Sequence, residues 1–262
     1  MDLNLKDKRA LVCGSTQGIG KAIALELANL GASVTLIARD ENKLSAVLDE
    51  LAVSQGQRHH YICADFAHPN QVEEAIDRYL KDEKKVEILI NNTGGPPGGP
   101  IIDADNQAFR EAFNQHLICN HIITQAVVPF MKAVGYGRII NIISTSVKSP
   151  LKGLGVSNTV RGAVANWSKT MANELGAFGI TVNNVLPGAT MTGRLTSIIK
   201  NKAEKTGKKE EEIKEAMLSQ IPANRFAEPA EVANAAAFLA SPAAGYINGI
   251  NVPVDGGRLS CL

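Results

Sequence analysis

Residues 11–31, LVCGSTQGIGKAIALELANLG, constrain the fold of this chain more than any other segment. An apolar run, Ala10, Leu11, Val12 and Cys13, has the character of a buried strand. Gly14, Gly18 and Gly20 follow, and then a helical period that sets Ile23, Leu27 and Leu30 on one face. A strand, a glycine turn and a helix N-terminus together make an anion site. Unpaired backbone N–H groups and the helix dipole point into the turn, and glycine lets a pyrophosphate come close. A second apolar run, 34–38, comes next and favours a nucleotide as the occupant.

At 262 residues the chain fits one dinucleotide-binding domain, 1–262. Hydrophobic residues make up 45% and aromatics 5%, an aliphatic balance suited to helices packed on a parallel sheet. A net charge of +1 argues against nucleic acid or an anionic membrane as partner. The charge-dense segment 200–214 mixes both signs, as a solvated helix does. Cys13, Cys63, Cys119 and Cys261 lie far apart without a C-x-x-C pair, so they read as buried thiols of a reducing compartment, with no disulfide frame and no metal site. The N-terminus carries no signal-peptide core, and no apolar run looks long enough to span a bilayer. The expectation is a cytoplasmic protein.

Strands are expected at 10–13, 34–38, 61–64, 88–91, 138–143, 181–186 and 250–254. Helices are expected at 18–30, 41–51, 71–81, 107–131, 156–177 and 229–239. This βαβ rhythm predicts a Rossmann-type, doubly wound parallel α/β sheet of about seven strands, with helices on both faces. Ligands of such sheets bind beyond the carboxyl ends of the strands. Those ends carry the glycine turn, Arg39 after Ala38, Asp65, the run Asn91, Asn92, Thr93 and Gly94, then Ser144, and finally Pro187 and Gly188.

With GSTQGIG, NNTG, NIIST, NNVLPGATMTG and YINGINVPVDGG in this order, the chain resembles the short-chain dehydrogenase/reductase family over nearly its full length, in its 3-oxoacyl-carrier-protein-reductase-like form. The resemblance implies a nicotinamide cofactor and hydride transfer to or from a small carbonyl or alcohol substrate. It implies cofactor contacts from Gly14, Ser15, Thr16, Gln17, Gly18, Ile19 and Gly20 in the turn. Asp65 and Phe66 would lie at the adenine, Asn92, Thr93 and Gly94 at the adenosine ribose, and Pro187, Gly188, Thr190 and Thr192 at the nicotinamide amide. Arg39 stands where an acidic residue would receive the ribose hydroxyls of NAD. Its guanidinium suits a phosphate instead, so NADP is favoured and NAD stays open.

The catalytic half departs from the family pattern. The family's serine falls on Ser144, but the tyrosine place falls on Ser157, the lysine place on Arg161 and the asparagine place on His116. No tyrosine lies between Tyr136 and Tyr246. Arg161 cannot shuttle a proton, but it can bind ribose hydroxyls and steady an alkoxide. His116 is either a proton-transfer group or a buried histidine tied to backbone at a helix contact. Two classes of function remain open, an oxidoreductase with a non-standard catalytic set and a catalytically silent dinucleotide sensor or partner subunit.

Residues 190–222 are too long for a plain connection and are expected to fold as a helical lid, with Leu195, Ile198, Ile199, Ile213 and Met217 facing substrate or packing on the body. The resemblance also implies a homo-oligomer, a tetramer. Ile118, Ile122, Val160, Val164 and Trp167 would form its apolar helix surface.

Overall fold

A computed structural model describes residues 1–83 and 85–261. Among the described residues, seven strands form one parallel sheet in the order β3-β2-β1-β4-β5-β6-β7. They are β1 Arg9–Cys13, β2 Ser33–Ala38, β3 His60–Cys63, β4 Ile88–Asn91, β5 Gly137–Ile142, β6 Ile180–Pro187 and β7 Asn251–Val254. The helices are α1 Gly18–Asn29, α2 Glu41–Leu48, α3 Pro69–Glu83, α4 Asn106–Phe113, α5 Cys119–Val134, α6 Gly155–Leu175, α7 Gly193–Thr206, α8 Glu210–Leu218 and α9 Pro229–Ala240. The expected α/β fold is the observed one.

Strand alternation divides the core into two layers. In β1, Ala10 and Val12 join the layer under α1, α2 and α9, while Leu11 and Cys13 join the layer under α3 and α5. In β4, Ile88 and Ile90 face the first layer and Leu89 the second. Strands buried on both faces read as the continuous apolar runs seen in the sequence. From β1 the chain steps outward to β2 and β3, then returns to add β4 on the other side of β1. The crevice for a ligand opens at this switch point, beyond the carboxyl ends of β1 and β4.

A row of asparagine amides ties four strands together. Asn91 Nδ2 donates to Asn141 Oδ1 (2.9 Å), Asn141 Nδ2 to Asn184 Oδ1 (3.0 Å), and Asn184 Nδ2 to Asn251 Oδ1 (2.8 Å). These residues are direct neighbours in the strand register. A one-residue slip would break every bond in the row, so the ladder fixes the register of β4 to β7. Asn91 therefore braces the sheet.

Several expectations need correction. The long helix foreseen at 107–131 is interrupted by a π-helical turn, Asn114–Ile118, between α4 and α5. By length and composition alone, the run Asn106–Val134 could cross a membrane, contrary to the sequence reading. Its apolar face is part of the core, where Cys119, Ile123, Val127 and Met131 pack under the sheet. Val160 and Val164 are wholly buried against the chain's own residues, which removes them from any exposed helix surface. Ile118 remains exposed, and Trp167 donates from Nε1 to His121 Nδ1 at 3.3 Å. Cys13 and Cys119 are buried, but Cys63 and Cys261 are exposed, because each lies at or beyond an edge of the packed layers.

Candidate functional site

The glycine turn is held open by its neighbour strand. Asn92, just past β4, donates from Nδ2 to Gly14 O (3.1 Å) and Cys13 O (3.2 Å). Gly14 takes φ +59°, in the left-handed region, and its N–H donates to Ile37 O at 2.8 Å. A side chain at position 20 would put its Cβ 2.1 Å from Gly14 O and 2.6 Å from Asn92 Nδ2, so the turn closes this tightly only around glycine. Helix α1 begins at once, with no side-chain cap from Gln17 and no acidic residue in its first turn. Its first N–H groups are therefore left for a ligand. Ser15 points inward, where its Oγ donates to Ile37 O at 3.5 Å, and Ile19 packs on the core, leaving their backbone as the part that faces the crevice.

Other side chains expected at the cofactor have partners within the protein. The Asn92 amide, expected beside the adenosine ribose, is engaged by the turn. Asp65 accepts from Ala67 N–H through Oδ1 (3.0 Å), while Phe66 packs on the core and its carbonyl accepts from Cys119 Sγ (3.4 Å). Gln17 and Gly94 are exposed, and Thr16 is half-buried. Arg39 is exposed at the end of β2 with no side-chain partner among the described residues. Its neighbour Asp40 is occupied: it caps α2 through Lys43 N–H (3.1 Å) and pairs with Lys43 Nζ (3.1 Å). The capping bond, and then the Lys43 contact, hold the Asp40 carboxyl below its usual range, so it stays ionised and engaged with Lys43.

The loop after β6 lies across the turn. Gly188 N–H donates to Val254 O (2.9 Å), and Met191 N–H to Ala227 O (2.8 Å). Thr190 donates to Gly188 O (3.3 Å), and Thr192 caps α7 by accepting from Leu195 N–H (3.4 Å). A Cβ on Gly18 would stand 3.1 Å from Thr192 Cγ2, so the start of α7 faces the glycine turn directly. Helices α7 and α8 enclose a small core of their own from Leu195, Ile199, Ala203 and Ile213, with Met217 packed against it. These apolar residues thus pack on each other, and Ile198 is half-buried beside them.

On the catalytic side, Ser144 lies two residues past β5 and accepts from Ser146 N–H through Oγ (3.1 Å), which leaves its own proton unassigned. Ser157 and Arg161 lie one turn apart on α6 and share a face. The Ser157 hydroxyl is half-buried, with no hydrogen-bond partner among the described residues. Arg161 is 8% exposed and donates from Nη1 to Ile142 O (2.9 Å) and from Nη2 to Thr93 O (3.4 Å). Burial, and then the nearby Arg194 charge, lower its pKa to about 10, so it stays cationic at neutral pH.

His116 sits in the π-helical turn, 1% exposed. Its Nδ1 meets the Thr93 hydroxyl, and its Nε2 has no partner. The tie is to a side chain, where the sequence suggested backbone. Burial, reinforced by Arg161 and Arg194, holds the imidazole well below its ordinary pKa and therefore neutral. Thr93 thus joins two candidates, its hydroxyl meeting His116 and its carbonyl meeting Arg161.

Arg194 was not foreseen. It lies two residues after Thr192 and donates from Nη1 to Gly95 O (2.7 Å) and from Nη2 to Pro96 O (2.6 Å), clasping the GPPGGP loop from 99 and 98 residues away. The same loop pairs with the start of α6, through Gly99 N–H to Gly153 O (2.8 Å) and Gly155 N–H to Gly99 O (3.1 Å). No group of metal-ligating side chains occurs among the described residues.

Residues 14–258 match the family model described as Enoyl-(Acyl carrier protein) reductase. The chain is 33% identical over 262 residues to 7alpha-hydroxysteroid dehydrogenase of Escherichia coli K12, covering 100% of this chain and 98% of that one. It is 34% identical over 254 residues to 3-oxoacyl-(acyl-carrier-protein) reductase FabG of Staphylococcus epidermidis, covering 96% and 98%. Among solved structures, L-sorbose reductase from Gluconobacter frateurii, complexed with NADPH and L-sorbose, superposes with a TM-score of 0.92 at 30% identity, covering 100% of both chains.

Proposed function

As a member of the short-chain dehydrogenase/reductase family this chain is an NAD(P)-dependent oxidoreductase, and we propose that it uses NADPH to reduce a carbonyl compound through a site without the family's tyrosine. The glycine turn fits a dinucleotide: it is closed around glycine, its helix N-terminus is uncapped, and Arg39 stands free for a ribose phosphate. NADPH binding by L-sorbose reductase, a close structural neighbour, supports the same choice here.

Bound NADPH supplies a hydride to the carbonyl carbon. Ser144 donates its remaining proton in a hydrogen bond to the substrate oxygen. Arg161 stabilises the negative charge that gathers on that oxygen, as a fixed cation in a site largely screened from water. The Ser157 hydroxyl, free of protein partners, passes a proton from water to the nascent alkoxide. His116 is neutral and holds Thr93, which in turn positions Arg161. The observation that carries this reading is the buried, cationic Arg161 without a carboxylate partner beside Ser157 and the end of β5. A positioned general acid contributes about 10²–10⁴-fold, so turnover without tyrosine is slow but real. Helices α7 and α8 act as the lid over the substrate, and the protein works as a cytoplasmic homotetramer.

The test is NADPH oxidation against a panel of aldehydes and ketones, beside direct titrations of NADPH and NADH. NADPH should bind more tightly than NADH by about tenfold or more, as a charge-assisted guanidinium–phosphate contact implies, and Arg39→Ala should erase that preference. Tight NADPH binding with no turnover across the panel would favour a silent sensor instead.

A further inference from the structure

We propose that the substrate is an anion: a carbonyl compound bearing a carboxylate, which Arg194 grips beside Arg161. This deepens, and rests on, the reductase reading above. Arg161 and Arg194 reach carbonyls within one four-residue stretch past β4, Arg161 on Thr93 and Arg194 on Gly95 and Pro96. Carbonyl dipoles orient a guanidinium but do not cancel its charge. Neither arginine has a carboxylate partner among the described residues, and each is near enough for the Arg194 charge to weigh on Arg161 and for both to weigh on His116.

Two other arginines are engaged differently. Arg225 carries Glu231 on both of its terminal nitrogens, at 2.7 and 2.6 Å. Arg138, buried like Arg161, is spent on three carbonyls and on the Tyr136 ring, which also takes the Lys8 ammonium at 4.2 Å. Arg161 is buried and Arg194 exposed, and an anion that joins them relieves their mutual repulsion.

A second observation points the same way. His116 Nε2 is buried beside this pair with no hydrogen-bond partner among the described residues, which leaves a polar atom for a ligand or water to meet. The cofactor's phosphates are provided for elsewhere, at the N-terminus of α1 and at Arg39. The Arg194 fork, now held by two carbonyls, has the planar geometry that a carboxylate takes in bidentate fashion, and its place at the start of α7 couples that grip to the lid.

The experiment compares 2-oxopentanoate and 4-oxopentanoate, each with its methyl ester, as substrates of the wild type, Arg194→Gln and Arg194→Lys. The wild type should prefer at least one acid over its ester by about 30-fold in kcat/KM, mostly through KM. Arg194→Gln should collapse that ratio towards one, and Arg194→Lys should restore part of it, which loss of the loop clasp alone would not do. Calorimetry of the NADP-loaded protein with pentanoate and with pentanamide gives a readout that needs no turnover. Pentanoate should bind and the amide should not, with pentanoate binding lost in Arg194→Gln while the NADPH affinity holds. Equal handling of acid and ester, or equal binding of pentanoate and pentanamide, overturns the proposal. So does a fall in NADPH affinity in Arg194→Gln, which would assign Arg194 to the cofactor. Selective pentanoate binding with no turnover of any carbonyl would instead sink the reductase reading and leave the anion site standing.

Discussion

The nucleotide side of the cleft and its catalytic side divide labour between backbone and side chain in opposite ways. At the glycine turn the side chains look inward: Ser15 reaches Ile37 O, Asn92 ties the turn, and Phe66 packs on the core. What remains for a ligand is backbone N–H and one exposed guanidinium, Arg39. On the catalytic side the backbone is the brace, since the carbonyls of Ile142, Thr93, Gly95 and Pro96 hold Arg161 and Arg194. There, on the proposed reading, the side chains face the ligand. A backbone-built site survives most substitutions and breaks only where glycine is lost. A side-chain-built site can change its chemistry with two replacements, which is the change proposed for Ser157 and Arg161.

The largest expected effect breaks the nucleotide side. Gly20→Val would drive its Cβ into Gly14 O, now 2.1 Å from that position, and reshape the turn. NADPH affinity should fall by about 100-fold or more, with a stability loss of about 1–3 kcal/mol from overpacking. Calorimetry and urea denaturation measure the two effects, and near-normal NADPH affinity would remove the turn as the nucleotide site.

The next effect sharpens the catalytic side. Ser157→Tyr with Arg161→Lys should rebuild a proton donor next to Ser144, because the lysine charge lowers the phenol pKa. NADPH-dependent reduction of an activated ketone should rise by about tenfold, a modest part of what general acids contribute, and each single change should do little. If the double variant folds and binds NADPH yet gains nothing, Ser157 and Arg161 do not hold those places.

The smallest effect concerns His116. Burial and two cations keep its folded pKa below the unfolded value of about 6.5, so below that pH the unfolded chain takes up a proton first. The stability that this neutral imidazole permits is complete above about pH 6.5 and is lost as the pH falls through lower values. His116→Asn should therefore shrink the difference in urea stability between about pH 7 and about pH 5. An unchanged difference would mean that His116 is not buried as a neutral base.

Much of this was legible before any coordinates. The spacing of Gly14, Gly18 and Gly20 between an apolar run and an amphipathic period defines strand, turn and helix, since each depends on residues within a few positions of one another. The continuous apolar runs of β1 and β4 follow from burial on both faces, and periodicity reports burial directly. The interruption at Asn114–Ile118 was invisible, because a π-helical turn between α4 and α5 leaves the apolar period almost intact. Val160 and Val164 looked like interface residues because sequence gives the apolar face of a helix but not what covers it. The clasp of Arg194 on Gly95 joins residues 99 apart, and the asparagine row needs four strands in one register. Local spacing determined the elements and the turn that faces the nucleotide. The partners of Arg161, His116 and Arg194 were decided only when β4, β5 and β6 came side by side, because a hydrogen bond about 3 Å long depends on the meeting of whole elements.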